Sequence, residues 1–337
     1  MELERSDPAE PGIRRRRHGR GFRYLDAAGG PVSPEEVSRI KGLVIPPAWK
    51  DVWICPDPDG HIQATGTDGA GRRQYLYHPL WREQRDREKH DRVLDFAERL
   101  PVIRERIAEH LKGRGFTRER VLAAAVRLID LGFFRAGGEE YAEENGTYGL
   151  ATVLREHVTC RKDQVVFEYP AKGSKERYQA VAEEDVCKVV SGLKRRRDDG
   201  PELLAHRAPG GRWHDVTTGD INEYLREISG GDFTAKDFRT WHATVLAAVG
   251  LAVSTKAAAS SEGTRRRAVS RVVQEVADYL GNTPAVARAS YIDPRVIDSY
   301  ERGVTIAVTD LGRDADFGEL ATQGRTERAV LDLLRPG

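Results

Sequence analysis

Several features that assign a chain to a familiar class of protein are missing from this sequence. Hydrophobic residues make up 39% of its 337 residues, yet no apolar run approaches the roughly 20 residues that a membrane-spanning helix needs. The N-terminal segment is acidic and then arginine-rich and has no apolar centre, unlike a secretory signal. With 32% charged residues, the composition predicts a globular cytoplasmic protein of about two domains.

Metal and nucleotide sites also lack their usual patterns. Cys55, Cys160 and Cys187 are far apart and odd in number, which argues against a zinc site or a disulfide framework. The nine histidines form no His-Glu-x-x-His or Cys/His cluster, and no Gly-x-x-x-x-Gly-Lys-Ser/Thr loop occurs. We therefore expect no metal, no nucleotide and no cofactor, and a reducing compartment.

Charge of one sign is not in excess, because 54 Lys and Arg oppose 53 Asp and Glu for a net charge of +1. A surface that binds duplex DNA is usually basic, so the total argues weakly against a nucleic-acid partner. A basic face balanced by acids elsewhere would give the same total, and the question stays open at this point.

The first part of the chain predicts a small β-rich domain over residues 1–88. Residues 1–12 are rich in Glu and Pro and are expected to be frayed. The arginine run at 14–17 predicts either a solvated tail or a strand that follows a nucleic acid. Short alternating runs at 52–55 and 61–65, separated by turn residues, predict strands.

A larger domain is expected over residues 96–337, after a linker at 89–95 in a charge-dense segment without apolar periodicity. Helices are predicted over 117–132, 185–193, 221–228, 235–251, 265–280 and 284–290. Strands are predicted over 147–153, 164–169 and 176–181, with a tight turn at 170–174 joining the last two. The fold class is therefore α+β: a β-rich N-terminal domain and a mainly helical domain with a small antiparallel sheet.

Tyr291 lies in a distinctive setting near the end of the chain. A helical pattern stops at Gly281, Thr283-Pro284 starts another helix, and Tyr291 follows two turns later. A phenol near its reference pKa of about 10 is a poor nucleophile and needs activation by its surroundings. A packed or surface tyrosine is the plainer interpretation of this residue taken alone.

Arg239 and Lys236 fall in the first turn of a predicted helix, because Thr234 and Asp237 form a capping box. A helix N-terminus suits a phosphate, and a guanidinium binds two phosphate oxygens while staying ionised. A structural salt bridge is the alternative for this arginine.

Arg135 precedes Gly137-Gly138, which allow close approach of the backbone to a ligand. Lys172 lies at the tip of the predicted hairpin, where a lysine can reach into a groove and protonate a leaving oxygen. An ion pair and a surface position are the respective alternatives, and Lys175 competes with Lys172.

These segments together resemble the type IB DNA topoisomerases, in particular the small poxvirus-like and bacterial branch. The order and spacing of five residues carry the resemblance: Arg135, Lys172, Arg239, Asn282 and Tyr291. It extends from about residue 15 to the last helix. The family's pattern implies that Tyr291 is the nucleophile, that Lys172 is the general acid, and that the other three stabilise the transition state.

Asn282 departs from the pattern of the poxviral and eukaryotic enzymes, which have histidine nine residues before the tyrosine. A neutral amide still donates a hydrogen bond to a phosphate oxygen but supplies no charge. We therefore expect the reaction to be retained, without a histidine titration from this position.

The resemblance also implies contacts with DNA outside the catalytic set. The run Gly71 to Tyr77 resembles the family's groove-reading strand, whose DNA-binding residues here are Arg73, Gln74, Tyr75 and Tyr77. Tyr75 and Tyr77 are expected on one strand face because side chains alternate along a strand. Tyr141 and Lys236 are further expected contacts, and a β-hairpin packed on the core is the alternative for the strand.

The implied activity is relaxation of supercoiled duplex DNA by a monomer that closes as a C-shaped clamp. Tyr291 would form a 3′-phosphotyrosine, the free end would rotate, and religation would follow without ATP or metal. The Ala, Arg and Gly bias is typical of a GC-rich bacterial genome, so we expect the protein at a bacterial nucleoid.

Two alternatives remain from the sequence. A tyrosine recombinase uses similar groups, but it typically has His-x-x-Arg where this chain has Lys236-x-x-Arg239, and its first domain is usually helical. A non-catalytic DNA-binding clamp is the other alternative, although retention of four of the five family residues argues against it.

Overall fold

The structure, a computed structural model, describes residues 3–132, 134–137, 147–162, 164–171, 175–198, 200–258, 261–307 and 323–335. The side chains of Lys175 and of residues 255–258 are outside this description. The chain divides into two compact units, Met1–Asp91 and Arg92–Gly337, each with its own internal contacts. Within the described ranges, no helix is long and apolar enough to cross a membrane.

The N-terminal unit is built on a five-stranded antiparallel sheet with the order β2-β1-β3-β4-β5. Its strands are β1 (Ile13–His18), β2 (Gly21–Leu25), β3 (Lys50–Ile54), β4 (Ile62–Thr67) and β5 (Arg73–Tyr77). Helix α1 (Pro34–Gly42) starts after Ser33, whose hydroxyl accepts a hydrogen bond from the Glu36 N–H. Alternate residues of β1, β3 and β4 fill a small core with Ile40 of α1.

The start of the chain is tied to this sheet, although residues 1–12 were expected to be frayed. The Ser6 hydroxyl accepts from the Ile62 N–H and contacts the Ile62 carbonyl, both at 3.0 Å. The arginine run lies in β1, and the Arg15 guanidinium donates to three carbonyls of the segment 45–49. This side chain therefore has a structural role within the unit, whereas a solvated tail would leave it in water.

The second unit is mainly helical. Its helices are α2 (Pro79–Leu111), α3 (Arg118–Gly132), α4 (Glu184–Lys194), α5 (Thr218–Ser229), α6 (Ala235–Ala258), α7 (Glu262–Leu280), α8 (Pro284–Ser290), α9 (Pro294–Glu301) and α10 (Arg325–Leu334). Helix α2 begins within the first unit and contains the whole segment 89–95 that was expected to be a linker. This part of the helix has no apolar periodicity. Ion pairs between side chains three or four residues apart stabilise it instead, such as Arg87–Glu83 and Lys89–Asp86.

A three-stranded antiparallel sheet, β6 (Val158–Cys160), β7 (Val165–Ala171) and β8 (Lys175–Val181), confirms the predicted pairing of the last two strands. A short hairpin, β9 (Ala205–Arg207) and β10 (Trp213–Asp215), was not predicted. The strand predicted at 147–153 is wrong, because Leu150–Thr152 form a 3₁₀ turn. The Leu150 N–H donates to the Arg135 carbonyl, which is not part of a strand.

A buried network of charges joins α2, α3, α6 and α10. Arg104 donates to both carboxyl oxygens of Asp130 at 2.9 Å and to Glu327 at 2.6 and 3.0 Å. His242 Nε2 lies 3.3 Å from Asp130 Oδ1, and Trp241 Nε1 donates to Glu327 at 3.1 Å. The network therefore holds the helix that carries Arg239 against the helix that leads to Arg135.

Candidate active site

The C-terminal end of α7 is the centre of the site. Gly281 has φ +66°, and its N–H donates to the Asp278 carbonyl at 3.1 Å. The Asn282 N–H donates to the Ala277 carbonyl at 2.8 Å. This is a Schellman cap, which satisfies two of the terminal carbonyls and needs the left-handed conformation that glycine adopts without strain.

The next three carbonyls of the chain each accept a hydrogen bond from a different arginine. Arg177 donates to Tyr279 O (2.9 Å), Arg239 to Leu280 O (2.9 Å) and Arg135 to Gly281 O (3.1 Å). A helix carries a partial negative charge at its C-terminal end, which favours cations there. Three guanidinium groups from three separate segments thus meet at one helix end.

Asn282 and Arg135 contact each other directly. Arg135 Nη2 donates to Asn282 Oδ1 at 2.6 Å. Because an arginine only donates, this contact turns the Asn282 oxygen towards Arg135 and leaves the amide nitrogen on the other side. Asn282 Nδ2 is buried and has no hydrogen-bond partner among the described residues, so a donor is available for a ligand oxygen.

The backbone around Arg135 is held by the 3₁₀ turn that replaces the expected strand. The carbonyls of Arg135 and Ala136 accept from the N–H groups of Leu150 and Ala151 at 2.8 and 2.7 Å. Gly137, at φ +101°, lies so close to the backbone of Gly149 that a Cβ atom on it would come to 3.1 Å from the Gly149 Cα. The glycine that the sequence singles out therefore allows two chain segments to meet behind Arg135.

Arg239 lies in the first turns of α6 and is only 5% exposed. Asp237 accepts hydrogen bonds from the Thr234 N–H (2.7 Å) and hydroxyl (3.0 Å), which confirms the predicted capping interaction. Burial, reinforced by Arg135, lowers the pKa of Arg239 below its usual value, while a hydrogen bond with Tyr291 opposes the shift. The Lys236 side chain, three residues earlier, is exposed.

Tyr291 follows α8 and is half-buried, with its ring 5.4 Å from the Arg239 guanidinium. Its N–H donates to the Ala287 carbonyl at 3.1 Å. The Thr244 hydroxyl lies 3.3 Å from the Tyr291 carbonyl and accepts from the Asp293 N–H at 3.1 Å. The same hydroxyl proton also has the Thr240 carbonyl as an acceptor at 2.9 Å. Thr244 therefore ties the backbone at Tyr291 to the helix that carries Arg239 mainly through the Asp293 N–H.

A pocket of about 150 Å³ opens between these elements. Arg135, Arg177 and Arg239 line it together with Tyr169, which the sequence did not single out. Burial raises the pKa of Tyr169 to about 12, against the lowering influence of the three arginines. Glu176 and Asp278 also line the pocket, so it presents three cations, two carboxylates and a neutral phenol. Guanidinium groups such as those of Arg135 and Arg239 can bind phosphate oxygens.

The residues expected to read DNA in the first unit lie on the edge strand β5. Tyr75 and Tyr77 are exposed and their rings stack at 6.1 Å between centroids, so the prediction that they share a face is confirmed. Arg73 donates to the Asp51 carbonyl at 3.3 Å. The Gln74 amide donates to Asp68 at 2.9 Å, on the opposite face of the strand.

Two expected site residues, Lys172 and Tyr141, lie outside the described residues. Arg177, like Tyr169, is a residue of the pocket that sequence reasoning missed. The predicted β7–β8 hairpin places this arginine opposite Tyr169. The sequence does not predict the main-chain carbonyls to which Arg177 donates.

Comparison with known proteins identifies relatives over most of the chain. The family model described as "Eukaryotic DNA topoisomerase I, catalytic core" matches residues 78–307, and "Bacterial DNA topoisomerase IB, N-terminal domain" matches residues 21–68. DNA topoisomerase 1B of Acanthamoeba polyphaga mimivirus is 27% identical over 303 residues, covering 86% of this chain and 88% of the relative. DNA topoisomerase 1B of Vaccinia virus (strain Copenhagen) is 22% identical over 236 residues, covering 69% and 70%.

Proposed function

The chain belongs to the type IB DNA topoisomerases, and from this premise we propose that it relaxes supercoiled duplex DNA through a covalent bond to Tyr291. The observation that carries the proposal is the meeting of Arg135, Arg239 and the unpartnered Asn282 amide at one helix end, next to Tyr291. These groups are donors and cations around a phenol, which is the set that attack on a phosphodiester requires.

In the proposed reaction, the Tyr291 oxygen attacks the scissile phosphorus. A bond forms between this oxygen and phosphorus, the phenolic proton is released, and the bond to the 5′-oxygen breaks, leaving a 3′-phosphotyrosine. The ring of Tyr291 lies against Arg239, whose positive charge favours the phenolate that develops during attack. In religation, the 5′-hydroxyl attacks the phosphotyrosine, which restores the DNA strand and releases the Tyr291 phenol. The reaction therefore needs no external energy source.

The pentacoordinate transition state gains negative charge on its non-bridging oxygens. In the proposal, Arg135 and Arg239 bind these oxygens and Asn282 Nδ2 donates a further hydrogen bond, which the Arg135–Asn282 contact and the unpartnered Nδ2 support. Preorganised donors of this kind are worth about 10²–10³ in rate each. Because Asn282 is neutral, the chain would stabilise this charge with one cation fewer than its histidine-containing relatives.

The remaining steps of the proposal concern groups beyond this cluster. Lys172 would protonate the leaving 5′-oxygen, as its position in the family's pattern implies. The two units would close around the duplex as a C-shaped clamp, with Tyr75 and Tyr77 in the groove and Lys236 and Tyr141 on the backbone. A monomer in the bacterial cytoplasm would then act without nucleotide or metal.

The test is relaxation of negatively supercoiled plasmid in EDTA without ATP. Wild type should relax the plasmid stepwise, and Tyr291→Phe should bind it without relaxing it. Tyr300→Phe is a matched control, because this variant removes a phenol nine residues further on that lies buried in α9. Relaxation by Tyr291→Phe would remove this residue as the nucleophile, and a wild type that binds but never relaxes would refute the proposed activity.

A further inference from the structure

Arg177 bridges the ends of two helices. Its Nη1 donates to the Tyr279 carbonyl at the end of α7 (2.9 Å), and its Nη2 donates to the Gly132 carbonyl at the end of α3 (3.1 Å). Both carbonyls lie at the negative ends of helix dipoles, where a cation is favoured. Burial lowers the pKa of this guanidinium, yet an arginine stays protonated at neutral pH and keeps both bonds.

These two helix ends are the ones that present the phosphate-binding groups. Helix α3 ends at Gly132, three residues before Arg135, and α7 ends at Leu280, two residues before Asn282. The Arg177 bridge therefore sets the distance between the segments whose side chains meet at 2.6 Å. Loss of the bridge would let the two ends separate.

The pairing of β7 and β8 fixes the backbone position of Arg177. Arg177 pairs directly with Tyr169 across β7 and β8, and Tyr169 is 3% exposed. The Tyr169 ring stacks on Phe134 with centroids 6.5 Å apart. Phe134 immediately precedes Arg135. The sheet and the Arg177 bridge therefore both fix the position of the segment that carries Arg135.

We propose that Arg177 is a positioning residue for strand cleavage, which keeps Arg135 and Asn282 in register by joining the C-terminal ends of α3 and α7. The inference rests on the proposed function. Both terminal nitrogens of Arg177 donate to main-chain carbonyls, whereas only Nη2 of Arg135 and of Arg239 does so in the bonds described above. We therefore assign Arg177 a role through the segments that it joins.

The experiment compares Arg177→Met with Arg120→Met in single-turnover cleavage of a duplex. Arg120 is a matched control, because its guanidinium also joins a helix-end carbonyl, Leu111 O, to a loop carbonyl, Gly115 O. Arg177→Met should slow cleavage about 10- to 100-fold, because a displacement of 1 Å at a reacting centre costs about 10² in rate. DNA affinity should change less than about twofold, and Arg120→Met should cleave like wild type.

A double-mutant cycle separates positioning from direct contact. If Arg177 acts through Asn282, Arg177→Met should slow cleavage much less in the Asn282→Ala background than in the wild-type background. A fully additive cycle, or wild-type cleavage by Arg177→Met, would overturn the proposal. Inactive wild-type protein would instead refute the proposed function, so the two failures are distinguishable.

Two further measurements keep the test decisive. Arg177→Lys, which can reach only one of the two carbonyls, should be intermediate in rate, and it replaces the Met variant in the cycle if that variant unfolds. A substrate with sulfur in place of the leaving 5′-oxygen should be slowed by the same factor as ordinary DNA. Selective rescue by sulfur would place the effect at the leaving group and contradict positioning of Arg135 and Asn282.

Discussion

Arg135 Nη2 donates a 2.6 Å hydrogen bond to Asn282 Oδ1, and this single contact orients the Asn282 amide. The amide nitrogen is buried without a partner among the described residues. A buried donor left without a partner costs about 1–3 kcal/mol, so a ligand oxygen that accepted from it would remove this cost. Under the proposed function, Asn282 would therefore be turned to donate before DNA binds.

The first prediction concerns this amide. Asn282→Ala should slow single-turnover cleavage by about 10²–10³, because one preorganised donor to the transition state is lost. Asn282→Asp should be slower still, since a carboxylate repels the phosphate and holds Arg135 as an ion pair. DNA affinity of the alanine variant should stay within about twofold of wild type. An alanine variant that cleaves normally would exclude Asn282 from the site.

The second prediction concerns Thr244, which anchors the backbone of Tyr291. Thr244→Val removes the hydroxyl that accepts from the buried Asp293 N–H, which should cost about 1–3 kcal/mol of unfolding free energy. Cleavage should slow about 10-fold or more, because the phenol loses its fixed position. Thr244→Ser should restore both properties.

Thr240→Val is the control for Thr244→Val. Thr240 is also buried in α6, and its hydroxyl donates to the Lys236 carbonyl one turn earlier, as the Thr244 hydroxyl does to the Thr240 carbonyl. The Thr240 variant therefore removes the bond within the helix without touching the Asp293 N–H. Loss of such a bond leaves the helical hydrogen bonding intact. Equal effects of both valine variants would show that Thr244 acts only through general packing.

Local signals explain which parts of the site the sequence could predict. Gly281, Pro284 and the Thr234–Asp237 pair set helix ends through their own backbone preferences, so their positions follow from neighbouring residues alone. The ends of α7 and α8 were placed correctly for this reason. The helix across 89–95 could also have been predicted from its charge spacing, which apolar periodicity does not detect.

Arg177 could not be predicted in this way. Its two carbonyl partners lie 45 and 102 residues away in the chain, and a main-chain carbonyl has no sequence signature. The 3₁₀ turn at Leu150 was missed for a similar reason, because its N–H groups bond to residues 135 and 136 rather than to a neighbouring strand. Tertiary contacts override local preference at both positions.

The third prediction concerns the buried Asp130. Burial alone would raise the pKa of Asp130, but His242 and Arg104 outweigh it and hold the pKa well below its usual range. Removing one partner of a buried pair costs about 3–5 kcal/mol, so Asp130→Asn should lose about this much unfolding free energy at pH 7.

The pH dependence of that loss follows from the sign of the shift. A carboxylate with a lowered pKa stabilises the fold above its unfolded pKa of about 4, and this stabilisation is lost as the pH falls further. The difference between wild type and Asp130→Asn should therefore shrink below about pH 4 in urea unfolding. Asp86→Asn, in a partly exposed pair with Lys89 within one helix, should differ from wild type by less than about 0.5 kcal/mol. A difference for Asp130→Asn that stays constant to pH 3 would contradict the assignment.

The fourth prediction concerns the exposed ring pair of β5. Tyr75→Ala and Tyr77→Ala should each weaken duplex binding about 10-fold, or about 1.4 kcal/mol, if the stacked rings lie in a DNA groove. Cleavage of fully bound DNA should proceed at the wild-type rate. The Tyr→Phe variants keep both rings and should bind more tightly than the alanine variants. Unchanged affinity in both alanine variants would leave β5 as a structural edge strand.

The last prediction separates the two lysines of the β7–β8 hairpin. Protonation of the leaving 5′-oxygen is needed for ordinary DNA, whereas a 5′-sulfur leaves without a proton because a thiolate is far less basic than an alkoxide. Lys172→Ala should therefore slow cleavage of ordinary DNA by about 10²-fold or more and spare the sulfur-containing substrate. Lys175→Ala, the matched control, should cleave both substrates like wild type. Equal slowing of both by Lys172→Ala would exclude it as the general acid, and selective slowing by Lys175→Ala would transfer the role to that lysine.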